Sequence, residues 1–365
     1  MSTSSTSGPL SGLRVIEFAG IGPGPFACMM LSDMGADVVS IDRPGKKLGD
    51  RNNLTGRGRT VVLADLKDAT AREDVLALLD KADVLVEGFR PGVMERLGLG
   101  PDVVAARNPR LVYGRMTGWG QEGPLAQAAG HDINYISITG ALHAIGPAGG
   151  PPVPPLNLVG DYGGGSLYLI VGILAALHEA QRSGRGQVVD AAMSDGVVSL
   201  MTNFVTQSLR GVFREQRGSN LLDGGAPWYG VYETSDGKHV CIGSIEPQFF
   251  ADICQRLDVP EDLRDAQPDR ARWTALRAVF ERTFRGKTQA EWVALLEGTD
   301  VCFAPVLPLS EAPAHPHNAA RKAFVDVEGV RHPAPAPRFS RTPSAIQGPA
   351  PSEAAAAAHV LARWA

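Results

Sequence analysis

The sequence predicts an α/β protein whose large domain is built on a Rossmann-like parallel sheet and whose smaller domain is α+β. Three observations support this prediction. Short apolar segments alternate with helical segments over residues 14–113, at the spacing of βαβ units. Apolar residues make up 44 % of the 365 residues, which is sufficient for a large core. After residue 224 the pattern changes to a hairpin followed by helices.

The large domain contains the alternating elements. Its predicted strands are the short apolar runs at residues 14–18, 38–42, 60–63, 84–86, 111–113 and 188–189. Its predicted helices are residues 25–34, 69–81, 101–108, 165–181 and 193–209. Because ligands of parallel sheets bind beyond the carboxyl ends of the strands, the loops that follow these strands are where we expect a site.

The small domain begins with a hairpin, residues 229–234 and 239–242, whose turn carries Asp236-Gly237. Helices are predicted at residues 247–257, 270–284 and 288–296, and a last helix at 353–364. We therefore divide the chain into a large domain at 10–195 that is completed by 330–365, a linker helix at 196–224 and a small domain at 225–329.

Composition excludes several functional classes. A net charge of −4 offers no surface for polyanions, so we expect no nucleic-acid partner. The four cysteines form no CxxC pair, which predicts neither a zinc site nor a disulfide framework and fits a reducing compartment. Residues 1–8 lack the features of a signal peptide, and the apolar run at 167–177 is shorter than the roughly 20 residues that span a bilayer. We expect a soluble, cytoplasmic protein without a membrane partner.

The turn after the first strand suggests a dinucleotide-binding loop. It reads Gly20-Ile21-Gly22-Pro23-Gly24-Pro25, and an acidic residue, Asp42, ends the next strand. The third glycine of the fingerprint would fall on Pro25, however, so the motif is only partly met. We interpret the turn as a tight bend that opens a helix with proline, and NAD binding remains a minor alternative.

Two motifs are candidates for acid–base chemistry. They are Gly130-His131-Asp132-Ile133-Asn134-Tyr135 and Gly160-Asp161-Tyr162-Gly163-Gly164-Gly165. An imidazole and a carboxylate that face each other across a cleft provide one basic and one acidic group, which proton transfer to and from carbon needs. An exposed loop histidine and a helix-capping aspartate are the structural alternatives.

Basic residues lie beside several predicted strand ends. They are Arg43, the Arg57-Gly58-Arg59 cluster, Arg90 and Arg96. Solvated surface is the ordinary role of such residues, but on one edge of a parallel sheet they could together hold phosphates.

The motifs, taken in order, resemble those of the class III CoA-transferase superfamily over about residues 10–349. The resemblance is carried by Gly12-Leu13-Arg14-Val15-Ile16-Glu17, Gly35-Ala36-Asp37-Val38, Phe89-Arg90-Pro91-Gly92, Gly118-Trp119-Gly120-Gln121-Glu122-Gly123-Pro124 and Gly184-Arg185-Gly186-Gln187. It implies CoA thioesters as substrates and an interlocked homodimer in which each ring-like chain threads its partner.

Within that superfamily the chain is similar to the branch of racemases that act on 2-methylacyl-CoA. His131 has the racemase form, whereas the transferase branch has an apolar or aromatic residue at that position. Asp161 resembles the carboxylate that attacks acyl-CoA in the transferases. Glu246, in Glu246-Pro247-Gln248-Phe249, matches the racemase carboxylate that contacts the catalytic histidine of the other chain, although capping of its own helix is the simpler role.

The racemase resemblance implies a mechanism without a metal or organic cofactor, since CoA is part of the substrate. His131 would serve one face of the α-carbon and Asp161 the other. The backbone N–H of Asp132 would stabilise the enolate oxygen, with the turn at residues 163–165 as the alternative. By resemblance, the CoA contacts would be Arg43, Ala64, Asp65, Leu66, Lys67, Gly88, Phe89, Arg90, Arg96, Gly130, Asn134 and Tyr135.

Several alternatives stay open at this stage. A CoA-transferase that uses Asp161 as nucleophile is the nearest one, and a non-catalytic acyl-CoA-binding protein is more distant. Met193 and Met201 could form part of an acyl-binding surface, although core packing is the more common role of methionine. The expected process is degradation of branched-chain fatty acids or sterol side chains, and the preferred acyl chain is left open.

Overall fold

The computed structural model of the protein describes residues 7–365, which form two compact units. The first unit comprises the chain up to residue 141 together with residues 155–202 and 320–365. The second comprises residues 142–154 and 203–319. The segment 142–154 belongs to the second unit, whereas the division predicted above keeps it in the large domain. Its tether is Arg217, whose guanidinium donates to the carbonyls of His143 and Gly150.

The described part of the first unit contains a six-stranded sheet in which every neighbouring pair is parallel. The strand order is β3-β2-β1-β4-β5-β6. The chain therefore builds outward from β1 and then returns to the other side of it, so the order reverses between β1 and β4. A crevice beyond the carboxyl ends of these two strands is the usual ligand site of such sheets. The strands are β1 Arg14–Phe18, β2 Asp37–Asp42, β3 Arg59–Leu63, β4 Val84–Glu87, β5 Val112–Thr117 and β6 Val188–Ala192.

The helices predicted at residues 25–34, 69–81, 101–108 and 165–181 are found in place, and the structure adds several short ones. The helices up to residue 209 are α1 Pro23–Asp33, α2 Ala69–Leu79, α3 Val93–Arg96, α4 Pro101–Arg107, α5 Asp132–Ser137, α6 Ala141–Ala144, a π-helix Leu158–Ser166, α7 Leu167–Ser183, α8 Met193–Leu200 and α9 Thr202–Leu209.

Two of these helices differ from the prediction. The prediction of one continuous helix at residues 193–209 is wrong, because this helix is interrupted at Met201 and forms α8 and α9. At that break the Thr202 hydroxyl donates to the Ser199 carbonyl at 2.6 Å, a local bond that competes with the helical pattern. In addition, α7 is preceded by the π-helix. Short π-helical segments are rare in proteins, and those that occur often lie at functional sites.

The π-helix and α7 together form one 26-residue helix, Leu158–Ser183, that is long and apolar enough to cross a membrane by length and composition. This is weak evidence for a membrane span, because core helices of soluble proteins pass the same test. Here Leu169, Ile170 and Ile173 of α7 are buried in the core beside the sheet. Gly114 of β5 permits this close packing, since a Cβ at that position would lie 3.0 Å from Leu169.

The second unit contains the predicted hairpin and its helices. A third strand lies beside the hairpin and is missing from the prediction, because its four residues include Pro305, which is tolerated at a sheet edge. An aromatic cluster of Tyr232, Phe280, Phe284 and Trp292 forms much of the core. The elements are β7 Tyr229–Glu233, β8 His239–Gly243, α10 Pro247–Arg256, α11 Trp273–Phe284, α12 Gln289–Leu296, β9 Phe303–Val306 and α13 Pro316–Ala320.

The last residues return to the first unit and cover its sheet edge. They form the antiparallel pair β10 Phe324–Val327 and β11 Val330–Pro333, and then α14 Ala357–Trp364. The Ala355 N–H donates to the Val61 carbonyl at 2.7 Å, which adds the tail to the edge strand β3. The indole N–H of Trp364 donates to Asp37 at 2.7 Å.

A buried ion pair holds this returning segment to α1. The guanidinium of Arg57 is 2 % exposed, and its Nε donates to Asp33 at 3.0 Å. A second nitrogen donates to the Pro333 carbonyl at 2.9 Å, so the same side chain reaches β11. Burial raises the pKa of Asp33 above its ordinary value in spite of the arginine, which shows how much hydration this carboxyl group has lost.

Replacement of Arg57 by methionine should therefore destabilise the first unit by about 3–5 kcal/mol, because it leaves a buried carboxylate without its partner. Arg107→Met is the matched control, since Arg107 pairs with Asp80 and Glu73 at the surface and should contribute less than about 1 kcal/mol. Urea unfolding monitored by far-UV circular dichroism measures both. Equal losses in the two variants would contradict the assignment of a structural role to the buried pair.

Candidate active site

A cavity of about 700 Å³ opens beyond the carboxyl ends of β1, β4 and β5 in the first unit. Its walls are the turn between β1 and α1, the loop after β4, the segment that leads into α5, and the π-helix. This is the crevice at the reversal of strand order that the sheet topology predicts. Among the predicted site residues, those that line it are Gly88, Phe89, Arg90, Gly130, His131, Asn134, Tyr135 and Asp161.

The other predicted CoA contacts lie outside this lining but on the same edge of the sheet. Arg43 follows β2, residues 64–67 follow β3, and Arg96 ends α3. Arg43, Lys67 and Arg96 are exposed. The carboxyl ends of parallel strands lie at the same edge of the sheet, so these three cations lie at the same edge as Arg90, which lines the cavity.

Two of the basic residues considered for phosphate binding do not have that role. Arg57 is buried against Asp33, and Arg59 donates to Glu17 at 2.6 Å with both side chains nearly inaccessible. Arg59 also donates to the carbonyls of Thr55 and Pro25. The suggestion that this cluster holds phosphate is wrong, because every guanidinium is already engaged inside the protein.

Asp161 lies in the π-helix and is half-buried. Its carboxylate accepts a hydrogen bond from the side-chain amide of Asn157 at 3.0 Å. Burial is the largest influence on its pKa and raises it; the Asn157 hydrogen bond and the His131 charge lower it, while the negative Asp132 raises it further. The net shift is upward, so the acidic form of Asp161 is favoured more than in water.

The turn at residues 20–25 forms the wall behind this carboxylate. Gly22 has φ 69°, and a Cβ at that position would lie 2.8 Å from Asp161 Oδ2. The Ser166 hydroxyl, at the end of the π-helix, donates to the Pro23 carbonyl at 2.7 Å and fixes the turn against the helix. Gly22 is therefore needed both for its backbone conformation and for the approach of Asp161.

His131 occupies the N-cap position of α5 and is exposed at the cavity. The Asn134 side-chain oxygen accepts the His131 N–H at 3.0 Å, and the His131 carbonyl accepts the Asn134 N–H at 2.8 Å. These reciprocal bonds fix the backbone of His131 at the start of α5, where the residue lines the cavity. Asn134, predicted as a CoA contact, has this orienting role in the structure.

Tyr135 supports the same helix from behind. Its hydroxyl donates to the Gly130 carbonyl, and its ring packs edge-on against Trp119 with centroids 4.8 Å apart. A Cβ at Gly118 would lie 2.0 Å from the Tyr135 ring, which explains why the motif places glycine there.

Asp132 connects the two catalytic candidates. It is 8 % exposed, and its Oδ2 accepts the backbone N–H of Asp161 at 2.7 Å. Its own N–H lies in the first turn of α5, where backbone donors have no partner within the helix. The sequence did not predict three contacts of Asp161, namely those with Gly22, Asn157 and the Asp132 carboxylate. Only the contact with Gly22 had a signal in the sequence, the glycine-rich turn.

Glu246 lies in the second unit, at the N-cap position of α10, and is exposed. Its side chain makes no capping hydrogen bond, which leaves the simple capping role without geometric support. Its charge is felt by Cys302, whose pKa is raised by burial first and by Glu246 next. Met193 is buried and also lines the cavity of the first unit, so it serves the core and the cavity wall together.

Comparison with known proteins identifies the family of this chain. The model of the family described as CoA-transferase family III matches residues 10–355. An alpha-methylacyl-CoA racemase of Mus musculus is 44 % identical over 336 residues, which cover 92 % of this chain and 87 % of that protein. An acetyl-CoA:oxalate CoA-transferase of Acetobacter aceti is 32 % identical over 346 residues, which cover 89 % of this chain and 88 % of that protein.

The fold is also found in solved structures. A CAIB/BAIF family protein from Brucella suis superposes with a TM-score of 0.83 at 26 % identity, covering 98 % of this chain and 100 % of that one. The resemblance inferred from the sequence motifs is thereby confirmed. The chain belongs to CoA-transferase family III.

Proposed function

We propose that the protein is a racemase that interconverts (2R)- and (2S)-2-methylacyl-CoA thioesters by 1,1-proton transfer through an enolate. The observation that carries this proposal is that His131 and Asp161 line one cavity and interact electrostatically. In this proposal the imidazole and the carboxylic acid act on the same substrate carbon. The similarity to the mouse racemase over most of the chain supports the same assignment.

The chemistry requires that the two groups share one proton. The thioester carbonyl acidifies the α-proton of the substrate only weakly, so the base and the acid must both be positioned. In one direction neutral His131 removes the proton and protonated Asp161 delivers one to the opposite face; in the other direction the roles reverse. The raised pKa of Asp161 supports its acidic role.

Negative charge develops on the thioester oxygen as the proton leaves. In this proposal the Asp132 N–H donates to that oxygen, and such a donor typically lowers the barrier by about 3 kcal/mol. The proposed step uses no metal or organic cofactor. Arg43, Lys67, Arg90 and Arg96 are the cations that would hold the phosphates of CoA, the arginines in bidentate fashion. The proposed setting is degradation of branched-chain fatty acids or sterol side chains in the cytoplasm.

A CoA-transferase reaction is the second candidate. The half-buried Asp161 is a suitable nucleophile, and the oxalate transferase of Acetobacter aceti belongs to the same set of relatives. Formation of an acyl anhydride at Asp161 needs no imidazole, however. His131 at the cavity therefore favours proton transfer.

Incubation with either epimer of a 2-methylacyl-CoA in heavy water separates these functions. The racemase should incorporate deuterium at C2 and bring both epimers to a near-equal mixture, which mass spectrometry and chiral analysis measure. Hydroxylamine added during turnover should leave the enzyme active, because no acyl-enzyme forms. Transfer of CoA between acids without deuterium uptake, together with inactivation at Asp161, would identify a transferase instead.

Gly22→Ala should lower kcat by about 100-fold. The new Cβ would lie only 2.8 Å from Asp161 Oδ2, so the carboxylate has to move away from its position in the cavity. Gly12→Ala is the matched control: Gly12 also has a positive φ, of 90°, but a Cβ there meets no atom within 4 Å. Both variants should lose stability through backbone strain, measured as a lower Tm. Only Gly22→Ala should lose turnover, and equal turnover in the two would show that the turn does not position Asp161.

We further propose a homodimer in which each active site is shared, with Glu246 of the partner subunit orienting His131. Two observations support this: Glu246 belongs to a different compact unit from His131, and its exposed side chain does not cap its own helix. A carboxylate beside the imidazole would favour the charged form of the ring.

Mixed dimers test the shared site. Chains with His131→Ala and chains with Glu246→Ala are co-expressed and purified through two different tags. In a shared-site dimer one site keeps both residues, so activity should return to about half of the wild-type value per dimer if the sites are independent. Activity that stays at the level of the single variants would show that each site is formed within one chain.

A further inference from the structure

We propose that the Asp132 carboxylate is a positioning residue for Asp161: it fastens the π-helix to α5 and keeps a negative charge beside the Asp161 side chain. The proposal rests on the proton transfer described above and concerns the side chain of Asp132, a different group from its backbone N–H. It assigns a second role to the residue next to His131.

The hydrogen bond between these segments is specific. Asp132 Oδ2 accepts the Asp161 N–H at 2.7 Å across 29 positions of sequence. A Cβ at Gly160 would lie 2.3 Å from the same oxygen, so glycine is required for the carboxylate to reach the backbone. The residue that precedes Asp161 and the residue that follows His131 are thus fitted to each other. This bond sets the position of the Asp161 backbone relative to the start of α5.

The other carboxylate oxygen argues for a role of the charge. Asp132 Oδ1 is buried and has no hydrogen-bond partner in the described part of the chain. A buried carboxylate oxygen without a partner costs free energy. An asparagine would accept the Asp161 N–H equally well with its side-chain oxygen and would carry no charge into the interior. The hydrogen bond alone therefore does not distinguish aspartate from asparagine, and charge is the property in which the two differ.

The charge acts on a small set of groups around Asp161. From α5, Asp132 raises the pKa of Asp161 and His131 lowers it, while Tyr135 of the same helix feels the Asp161 charge in turn. Asn157, before the π-helix, lowers the pKa of Asp161 through its hydrogen bond. Gly22, just before α1, is uncharged, and a Cβ there would lie 2.8 Å from Asp161 Oδ2; Met193 and Val197 of α8 lie beside Gly164 and Gly165 of the π-helix instead. Asp132 is the acidic residue in this set that opposes ionisation of Asp161.

Asp132→Asn separates charge from hydrogen bonding. Removal of the charge should lower the pKa of Asp161, because the negative Asp132 is one of the influences that raise it. Because Asp161 then loses its proton at lower pH, the pH dependence of kcat should move to lower pH. The Tm should remain close to the wild-type value, because the hydrogen bond is retained. Asp102→Asn is the matched control, since it removes a charge from the first turn of α4, away from the cavity.

Asp132→Ala removes the hydrogen bond as well. We expect kcat to fall by about 100-fold with little change in KM, because Asp161 is displaced while the CoA contacts are intact. Should this variant fail to fold, Asp132→Asn still tests the effect of the charge.

The Asp161 pKa is measured directly by carbon NMR of protein labelled with ¹³C at aspartate carboxyl groups, with the Asp161 signal assigned from Asp161→Asn. An Asp161 pKa that is the same in wild type, Asp132→Asn and Asp102→Asn would overturn the proposal. A downward shift in Asp132→Asn alone would support it. This titration needs no turnover, so absence of deuterium exchange in the wild type would refute the racemase function and leave the positioning of Asp161 to be decided by NMR.

Discussion

The close packing of the π-helix against its neighbours is the constraint on which the site depends. This segment contacts α1, α5 and α8, and each contact passes over a glycine. A Cβ at Gly164 would lie 2.5 Å from Val197, one at Gly196 would lie 1.9 Å from the Gly164 carbonyl, and one at Gly160 would meet the Asp132 carboxylate. The glycines allow backbones to approach where side chains would keep them apart. Asp161, in the middle of the segment, is thereby held within reach of both Gly22 and the start of α5.

The features that the sequence predicted are those that depend on the local pattern of residues, namely the strands and most helices of the first unit. Apolar alternation located the strands of the parallel sheet, and the reversal of strand order follows from their connections. His131 and Asp161 could be singled out because a histidine and an aspartate each preceded a helix start, and the resemblance to the family specified their chemistry. The break at Met201 and the π-helix were missed, because short deviations of helical pitch leave little trace in apolar periodicity.

What the sequence did not predict depends on long-range contacts. Arg57 and Arg59 looked like surface cations, but each is neutralised by an acidic residue that is distant in the chain, Asp33 and Glu17 respectively. The Glu17–Arg59 pair also engages the Pro25 carbonyl, so it supports the turn that places Gly22 against Asp161. A single sequence contains no signal for such a distant partner. Arg43 and Arg96, on the same edge of the sheet, are exposed, as is usual for arginine.

The ionisation of Asp161 shows that the site is built at the expense of stability. The folded-state pKa of this carboxyl lies above its ordinary value of 3.8, chiefly through burial. A group of this kind contributes its full stabilisation below the ordinary pKa and loses it as pH rises through the folded-state value. The carboxylate that the proposed reaction uses as a base is therefore less favoured inside the protein than in water. Asp132 adds to this cost, and the acidic form of Asp161 persists to higher pH as a result. A neutral residue at either position would avoid this cost; the proposed proton transfer, which needs an acid and a base at one site, gives a reason for keeping both carboxylates.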